Sequence, residues 1–186
     1  MVKNTETTKI VTQPKLNEVA TPSFKRWLKH FFFMPATKRY FNQQDQHAIA
    51  EAVKVAEQGH VGEIQVVVEA YIPAANAFYQ DTHARAQQLF AEVGVWDTEF
   101  NSGVLLYINL CDKKVEILID RGIKKATTQD VWNDICETII QSIKQQEYRK
   151  AVVNGVGEIG KVLDEYYAGR TINIENELSN IPIIIG

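Results

Sequence analysis

Hydrophobic positions along this chain switch between helical and strand spacing. Within residues 43–59, Ile49, Ala50, Val53 and Ala56 recur at helical intervals, and Gly59 stands where a helix end favours a left-handed residue. Residues 63–70, EIQVVVEA, are β-branched and predict a strand, and Pro73 then breaks the chain. Residues 77–93 predict a helix with Ala84, Ala86, Leu89, Phe90 and Val93 inward. An irregular loop over 94–103 leads into VLLYINL at 104–110, which is almost continuously apolar, as a central strand should be. Residues 114–120 alternate, with Val115, Ile117 and Ile119 on one side and Glu116 and Asp120 on the other. The turn at Leu110-Cys111-Asp112-Lys113 should join these two strands as an antiparallel hairpin. Residues 128–146 carry the stripe Trp132, Ile135, Cys136, Ile139, Ile140 and Ile143, and 148–167 predict another helix. This order predicts an α/β fold: a three-layer α/β/α sandwich around one mixed central sheet that contains an antiparallel hairpin.

The flanks read differently from the body at 43–168. Residues 1–21 are polar, Thr-rich and aperiodic, and are expected to be a disordered tail. Residues 22–42 are basic and aromatic. No acidic residue stands between Glu18 and Asp45, while Lys25, Arg26, Lys29, Lys38 and Arg39 are all present. Ser23 can cap a short helix bearing Phe24, Trp27, Leu28, Phe31 and Phe32, which Pro35 should end. The aromatic share favours packing on the domain with Lys and Arg facing water. The alternative is an amphipathic element that docks on an acidic membrane surface or a membrane-associated partner. The tail at 169–186 holds Ile181–Ile185, which fits either an edge strand or a segment packed against the body or a partner, and Pro182 keeps it out of a sheet centre.

Composition narrows the function. With 20 Lys and Arg against 23 Asp and Glu, the formal charge of −3 argues against a general nucleic-acid binder. Cys111 and Cys136 form no metal-finger spacing, and no apolar run approaches a membrane span. The opening MVKNTETTKIVTQPK has no apolar leader, so the expected location is the cytoplasm, at the inner membrane face if the basic segment docks. Gly155, Gly157 and Gly160 match G-x-G-x-x-G, but a helical stretch precedes them rather than a strand. They are expected to allow close helix packing, not dinucleotide binding. The histidines His30, His47, His60 and His83 form no zinc-type pair. What remains is an acidic rim. Asp97 and Glu99 lie in the loop before the central strand, Asn101 ends that loop, Asp120-Arg121-Gly122 follow the hairpin, and Glu63 opens the first strand. Oxygen donors without thiolate or imidazole suit hard cations such as Ca²⁺ or Mg²⁺, and Arg121 could add hydrogen bonds to a phosphate.

The string HVGEIQVVVEA, then ARAQQLFAEVGVWDTEFNSGVLLYINLCDKKVEILIDRGI, then EYRKAVVNGVGEIGKVL resembles the TPM-domain family across about residues 43–168. The most specific piece is the N-x-G-V-L-L-Y strand followed by D-K-K-V-E-I and a glycine turn. The resemblance implies a Rossmann-like α/β/α shape without a nucleotide fingerprint, and acidic loops associated with divalent ions, chiefly Ca²⁺. A plant thylakoid relative is described as an acid phosphatase. Carried onto this chain, the metal set would be Asp97, Asn101, Asp120 and Glu63, and the candidate catalytic groups of a metal-assisted phosphatase would be Asp97, Asp120 and Arg121. Asp120-Arg121-Gly122 stands where many relatives have glycine, aromatic, glycine, and Phe100 where many have Asp. A cation-binding or interaction module ranks above catalysis, because no nucleophile has an evident orienting partner. The alternative is a non-enzymatic scaffold docked to a membrane-associated partner through residues 22–42 and 169–186.

Overall fold

A computed structural model describes residues 20–33, 39–123, 127–167 and 176–186. Residues 1–19 of the expected tail, Pro35, and residues 169–175 lie outside the described residues. The elements run α1 (Phe24–Phe32), α2 (Gln43–Ala56), β1 (Glu63–Glu69), α3 (Ala74–Ala77), α4 (Thr82–Glu92), β2 (Gly103–Asn109), β3 (Lys114–Ile119), α5 (Gln129–Lys144), α6 (Tyr148–Tyr167) and β4 (Ile183–Ile185). The sheet order is β3-β2-β1-β4. β1 is parallel to β2 and β4, whereas β2 and β3 form the expected antiparallel hairpin, so the sheet is mixed.

Alternation sorts the strand side chains into two cores. Ile64, Val66 and Val68 join Val104, Leu106 and Ile108 and Val115, Ile117 and Ile119 in one cluster with residues of α2, α5 and α6. Val67, Leu105, Tyr107 and Leu118 face the other way and pack with Ala86, Leu89 and Phe90 of α4. Helices thus cover both faces, which explains why β1 and β2 are buried at every position. The glycines of α6 serve packing, as their helical setting suggests. A Cβ on Gly155 would lie 2.4 Å from Ile139 Cδ1, and one on Gly160 would lie 2.7 Å from Ala56 Cβ. These contacts let α6 press closely on α5 and α2.

Local chemistry fixes the helix ends. Asn42 and Asp45 form a reciprocal capping box at α2, each side chain accepting the other's backbone N–H at 3.0 Å. The helix expected over 77–93 begins only at Thr82, as α4, and the short α3, which ends at Ala77, precedes it. Asp81 separates them by accepting the Ala84 N–H at 2.9 Å as an N-cap. Ile183–Ile185 forms an edge strand parallel to β1, and Pro182 stands just outside it.

Under α4 the sheet carries a polar network. Glu69 is wholly buried. Its carboxylate accepts from Arg85 Nη2 at 2.7 Å and from the Tyr107 hydroxyl at 2.7 Å. Asn109 Nδ2 donates to the Tyr107 oxygen at 3.0 Å. Burial, then the Glu69 charge, pushes the Tyr107 hydroxyl well above its ordinary pKa. The network extends to Gln88, which accepts from Arg85 Nη1 at 3.1 Å, and to the Asp112 N–H, which donates to Asn109 Oδ1 at 2.9 Å, so it holds α4 to the sheet.

Candidate functional site

The acidic rim occupies the sheet end where β1 and β2 begin and β3 finishes. Register places Glu63 beside Gly103, and the Asp120 N–H donates to the Gly103 carbonyl at 2.9 Å. Glu63 and Asp120 therefore flank Gly103 two strand spacings apart, about 9.5 Å between backbones. The gap between them is filled. A Cβ on Gly103 would fall 1.9 Å from the Val95 carbonyl oxygen, so the 93–102 loop lies directly on this glycine.

The residues of the rim then separate into two groups. Asn101, Asp120 and Arg121 come together: Arg121 Nε donates to Asn101 Oδ1 at 2.7 Å, and the Arg121 N–H donates to Asp120 Oδ1 at 2.6 Å. Asn101 adopts a left-handed φ of 52°, which asparagine tolerates better than most residues. Gly122 allows the approach, because a Cβ there would sit 2.3 Å from the Asn101 carbonyl. Asp120 is 6% exposed, and its Oδ2 has no hydrogen-bond partner. Burial raises its pKa against the pull of the Arg121 N–H and charge.

Glu63 belongs to the second group. Its carboxylate accepts the backbone N–H groups of Leu178 at 3.3 Å and Glu177 at 3.4 Å. Beside it, Glu57 accepts the Ile64 N–H at 2.7 Å and Asn180 Nδ2 at 3.0 Å. Burial pushes the Glu57 carboxyl up to about 8; the Ile64 hydrogen bond opposes the rise and the Glu63 charge adds to it. Glu177 in turn accepts the Glu99 N–H at 3.1 Å. These carboxyls hold the C-terminal segment on the sheet. Asp97 is exposed in its loop. Ser102 donates its buried hydroxyl to the Val61 carbonyl, so it is no free nucleophile.

The opposite end of the sheet carries different chemistry. Here α1 lies against α3 and the β2–β3 turn. Arg26 donates to the Ala77 carbonyl at 2.8 Å and to the Phe78 carbonyl at 2.9 Å. His30, only 1% exposed, accepts the Ile72 N–H through Nδ1 at 3.1 Å and approaches Asp112 Oδ2 with Nε2 at 3.2 Å. Lys29 Nζ reaches Asp112 Oδ1 at 2.6 Å. With Nδ1 accepting, the proton belongs on Nε2, where it is donated to Asp112.

Among the described residues, His30, Cys111 and Asp112 are the three His, Cys, Asp or Glu side chains whose donor atoms gather within 4.8 Å. Their valences are already used. The imidazole proton lies between His30 and Asp112, and the Cys111 thiol is pushed up to about 11 by burial and the Asp112 charge. These contacts make the trio a clamp that ties α1 to the β2–β3 turn.

The clamp orients α1 opposite to the expectation of aromatic packing. Arg26 and His30 face the domain. Phe24, Leu28, Phe31 and Phe32 are 64%, 40%, 52% and 67% exposed. Phe24 stacks on Trp27 at 5.2 Å and Trp27 on Phe31 at 5.1 Å. At 100° per residue these five side chains sweep about 140° of the helix surface, with Lys25 and Lys29 along one border. The Ala77 and Phe78 carbonyls, the Ile72 amide and Asp112 draw in the polar stripe, which leaves the aromatic stripe outside.

Beside the clamp, a cleft of about 430 Å³ is lined by Arg39, Tyr40, Lys113, Lys144, Gln146 and Tyr148, among others. Its three cations come from three separate segments, so no sequence spacing announced them. The only hint was the absence of acidic residues before Asp45.

Residues 36–162 match the TPM domain family, and the chain belongs to that family. Among solved structures it is similar to the BA42 protein of the psychrophilic bacterium Bizionia argentinensis. That match has 26% identity and a TM-score of 0.68, covering 81% of this chain and 99% of the other. It also shares its fold with the N-terminal domain of a P. gingivalis protein, at 14% identity and a TM-score of 0.56, covering 73% of this chain and 83% of that one. No protein of curated function matches it. None of the helices among the described residues is long and apolar enough to cross a membrane.

Proposed function

We propose that this TPM-domain protein is an interaction module that docks on an anionic membrane surface through α1. The observation that carries the reading is the reversed helix: its polar stripe is spent on the domain and its aromatic stripe is exposed. Seating the exposed parts of Phe24, Leu28, Phe31 and Phe32 at an interface is worth about 4–8 kcal/mol before ordering costs. Each nearby Lys or Arg adds about 1 kcal/mol at an acidic leaflet. Together these give reversible binding, short of insertion.

The test is co-sedimentation of the full chain with phosphatidylcholine vesicles, with and without a quarter of phosphatidylserine. Binding should require the anionic lipid, weaken steeply with salt, and disappear in a Phe24→Ser, Phe31→Ser, Phe32→Ser variant whose melting is unchanged. A wild-type chain that stays in the supernatant with both vesicles, or that forms a stable dimer through this face, would sink the proposal.

A second reading places a hard cation at the acidic rim. Its support is the buried Asp120 Oδ2 without a partner, beside Asn101. A cation there would neutralise this carboxylate, but Arg121 already occupies Asn101, and the Val95 loop stands between Asp120 and Glu63. Phosphoester hydrolysis would further need Asp97 and Arg121 to converge on a substrate phosphoryl group. Calorimetric titration with Ca²⁺ and Mg²⁺ checks the cation, with Asp120→Asn as control. Heat that persists in the variant would move the cation elsewhere, and turnover of an aryl phosphate would test the hydrolytic step.

A further inference from the structure

The cleft beside the α1 clamp has the chemistry of an anion site. Arg39 enters just before α2, Lys113 from the β2–β3 turn and Lys144 from the last turn of α5. Among the described residues no carboxylate lines the cleft, and those of the adjoining hollow, Asp45 and Glu147, pair with Arg149 and Lys150. Five cations elsewhere among the described residues are paired, Lys29 with Asp112, Arg85 with Glu69, Arg149 with Asp45, Lys150 with Glu147 and Lys161 with Glu158, whereas Lys25, Lys54 and Lys114 stand without an ion pair but do not line this cleft. Among the described residues, no ion pair or hydrogen bond engages the side chains of Arg39, Lys113 or Lys144. Three like charges therefore share one concavity with no ion partner among the described residues.

The backbone adds a second argument. Lys113 and Gln146 adopt left-handed φ values of 52° and 64°. Gln146 follows α5 at a position where glycine or asparagine usually closes a helix, and Lys113 sits in a tight turn. Glycine would fit both positions with less strain. Instead each carries a side chain that lines the cleft. Tyr40 and Tyr148 meet edge to face at 4.8 Å and form an aromatic part of the wall. The volume exceeds that of a bare oxyanion and lies within the range of small-molecule pockets.

We infer that this cleft binds the phosphate group of a small organic phosphate. Arg39 offers a planar fork to two phosphate oxygens, and Lys113 and Lys144 act as point charges on the remaining oxygens. The organic part would lie against Tyr40 and Tyr148. The phosphate could belong to a soluble ester or to a lipid headgroup. The site sits at the α1 end of the molecule, because Lys113 directly follows the Asp112 that grips Lys29 and His30. The inference stands without the docking role, and the experiment separates the two.

The test titrates the full chain with glycerol 3-phosphate by calorimetry at low salt, using glycerol as the blank. The decisive variant is Lys113→Gly combined with Lys144→Gln. It should weaken binding at least tenfold while melting at or above the wild-type temperature, since glycine relieves the left-handed position. The aromatic α1 triple variant should bind glycerol 3-phosphate as wild type does. No saturable heat from the wild type, or equal affinity in the cleft variant, would overturn the inference.

Vesicles containing phosphatidic acid form the second arm. A loss of binding to these vesicles in the cleft variant that exceeds its loss with phosphatidylserine vesicles of equal surface charge identifies the headgroup as the source. Unchanged vesicle binding with lost glycerol 3-phosphate binding identifies a soluble ester.

Discussion

Glu57 shows how a single residue ties pH to stability. Its carboxyl is pushed up to about 8 in the folded chain, from an ordinary value of 4.5. The unfolded chain therefore loses this proton first as pH rises. The stabilising effect of the protonated group is complete below about 4.5, declines between there and about 8, and is gone above. Glu57→Gln should match wild type at pH 5 and exceed it by about 1–2 kcal/mol at pH 8.5. Urea melts at the two pH values check this, and parallel curves for the two proteins would refute it. Arg85 answers to a different rule. Removing it leaves Glu69 charged and fully enclosed, so Arg85→Met should cost about 3–5 kcal/mol in the same melts. Residues of this kind were partly legible in the sequence. Glu63, Asn101, Asp120 and Arg121 stood out as polar groups at predicted strand ends. Glu57 did not, because it looked like one more solvated charge near a helix end. Nothing local revealed that the Ile64 amide and Asn180 would enclose it.

At the scale of elements, α1 depends on its clamp. Burial alone would raise the Asp112 pKa, but hydrogen bonds from His30 and Lys29 and their charges hold it well below the usual carboxylate range. The stabilisation from this group is present above its unfolded pKa, near 4, and is lost as pH falls below that value. Asp112→Ala at pH 7 strands the His30 N–H and should loosen α1 by about 1–3 kcal/mol. Hydrogen exchange of the Leu28–Phe32 amides should then quicken about tenfold or more, with β1 and β2 amides little changed. Uniform acceleration across the sheet would mean that α1 is part of the global fold. Element existence was legible wherever apolar spacing was strong: α2, α5, α6 and all three long strands follow from it. Two features were not. The α3–α4 break depends on Asp81 turning back to cap Ala84, which overrides a continuous helical pattern. The orientation of α1 depends on carbonyls and an amide contributed by α3 and its flanks, more than forty residues away in the chain, so amphipathic spacing alone pointed its aromatic face the wrong way.

At the scale of the whole molecule, the C-terminal segment closes the sheet. It pairs Ile183, Ile184 and Ile185 with Val67, Val68 and Glu69, and it brings the amides that satisfy Glu63. Cutting the chain after residue 175 should lower stability by about 3 kcal/mol or more, through lost apolar burial and an enclosed carboxylate left without donors. It should also expose the β1 edge to pairing with other copies, visible as concentration-dependent growth in light scattering. A truncated chain that melts and migrates as wild type would show that the segment is an ornament. The family fold was legible at this scale, but the partition of charge was not. Glu57, Glu63, Asp120 and Glu177 lie where the parallel strands begin, while Arg39, Lys113, Lys144 and the aromatic helix lie where they end. The molecule consequently has an electrical polarity along its strands. Near a negatively charged sheet of lipid it would experience a torque that turns the α1 end inward before any side chain touches, and the carboxyl end would be left pointing into bulk water.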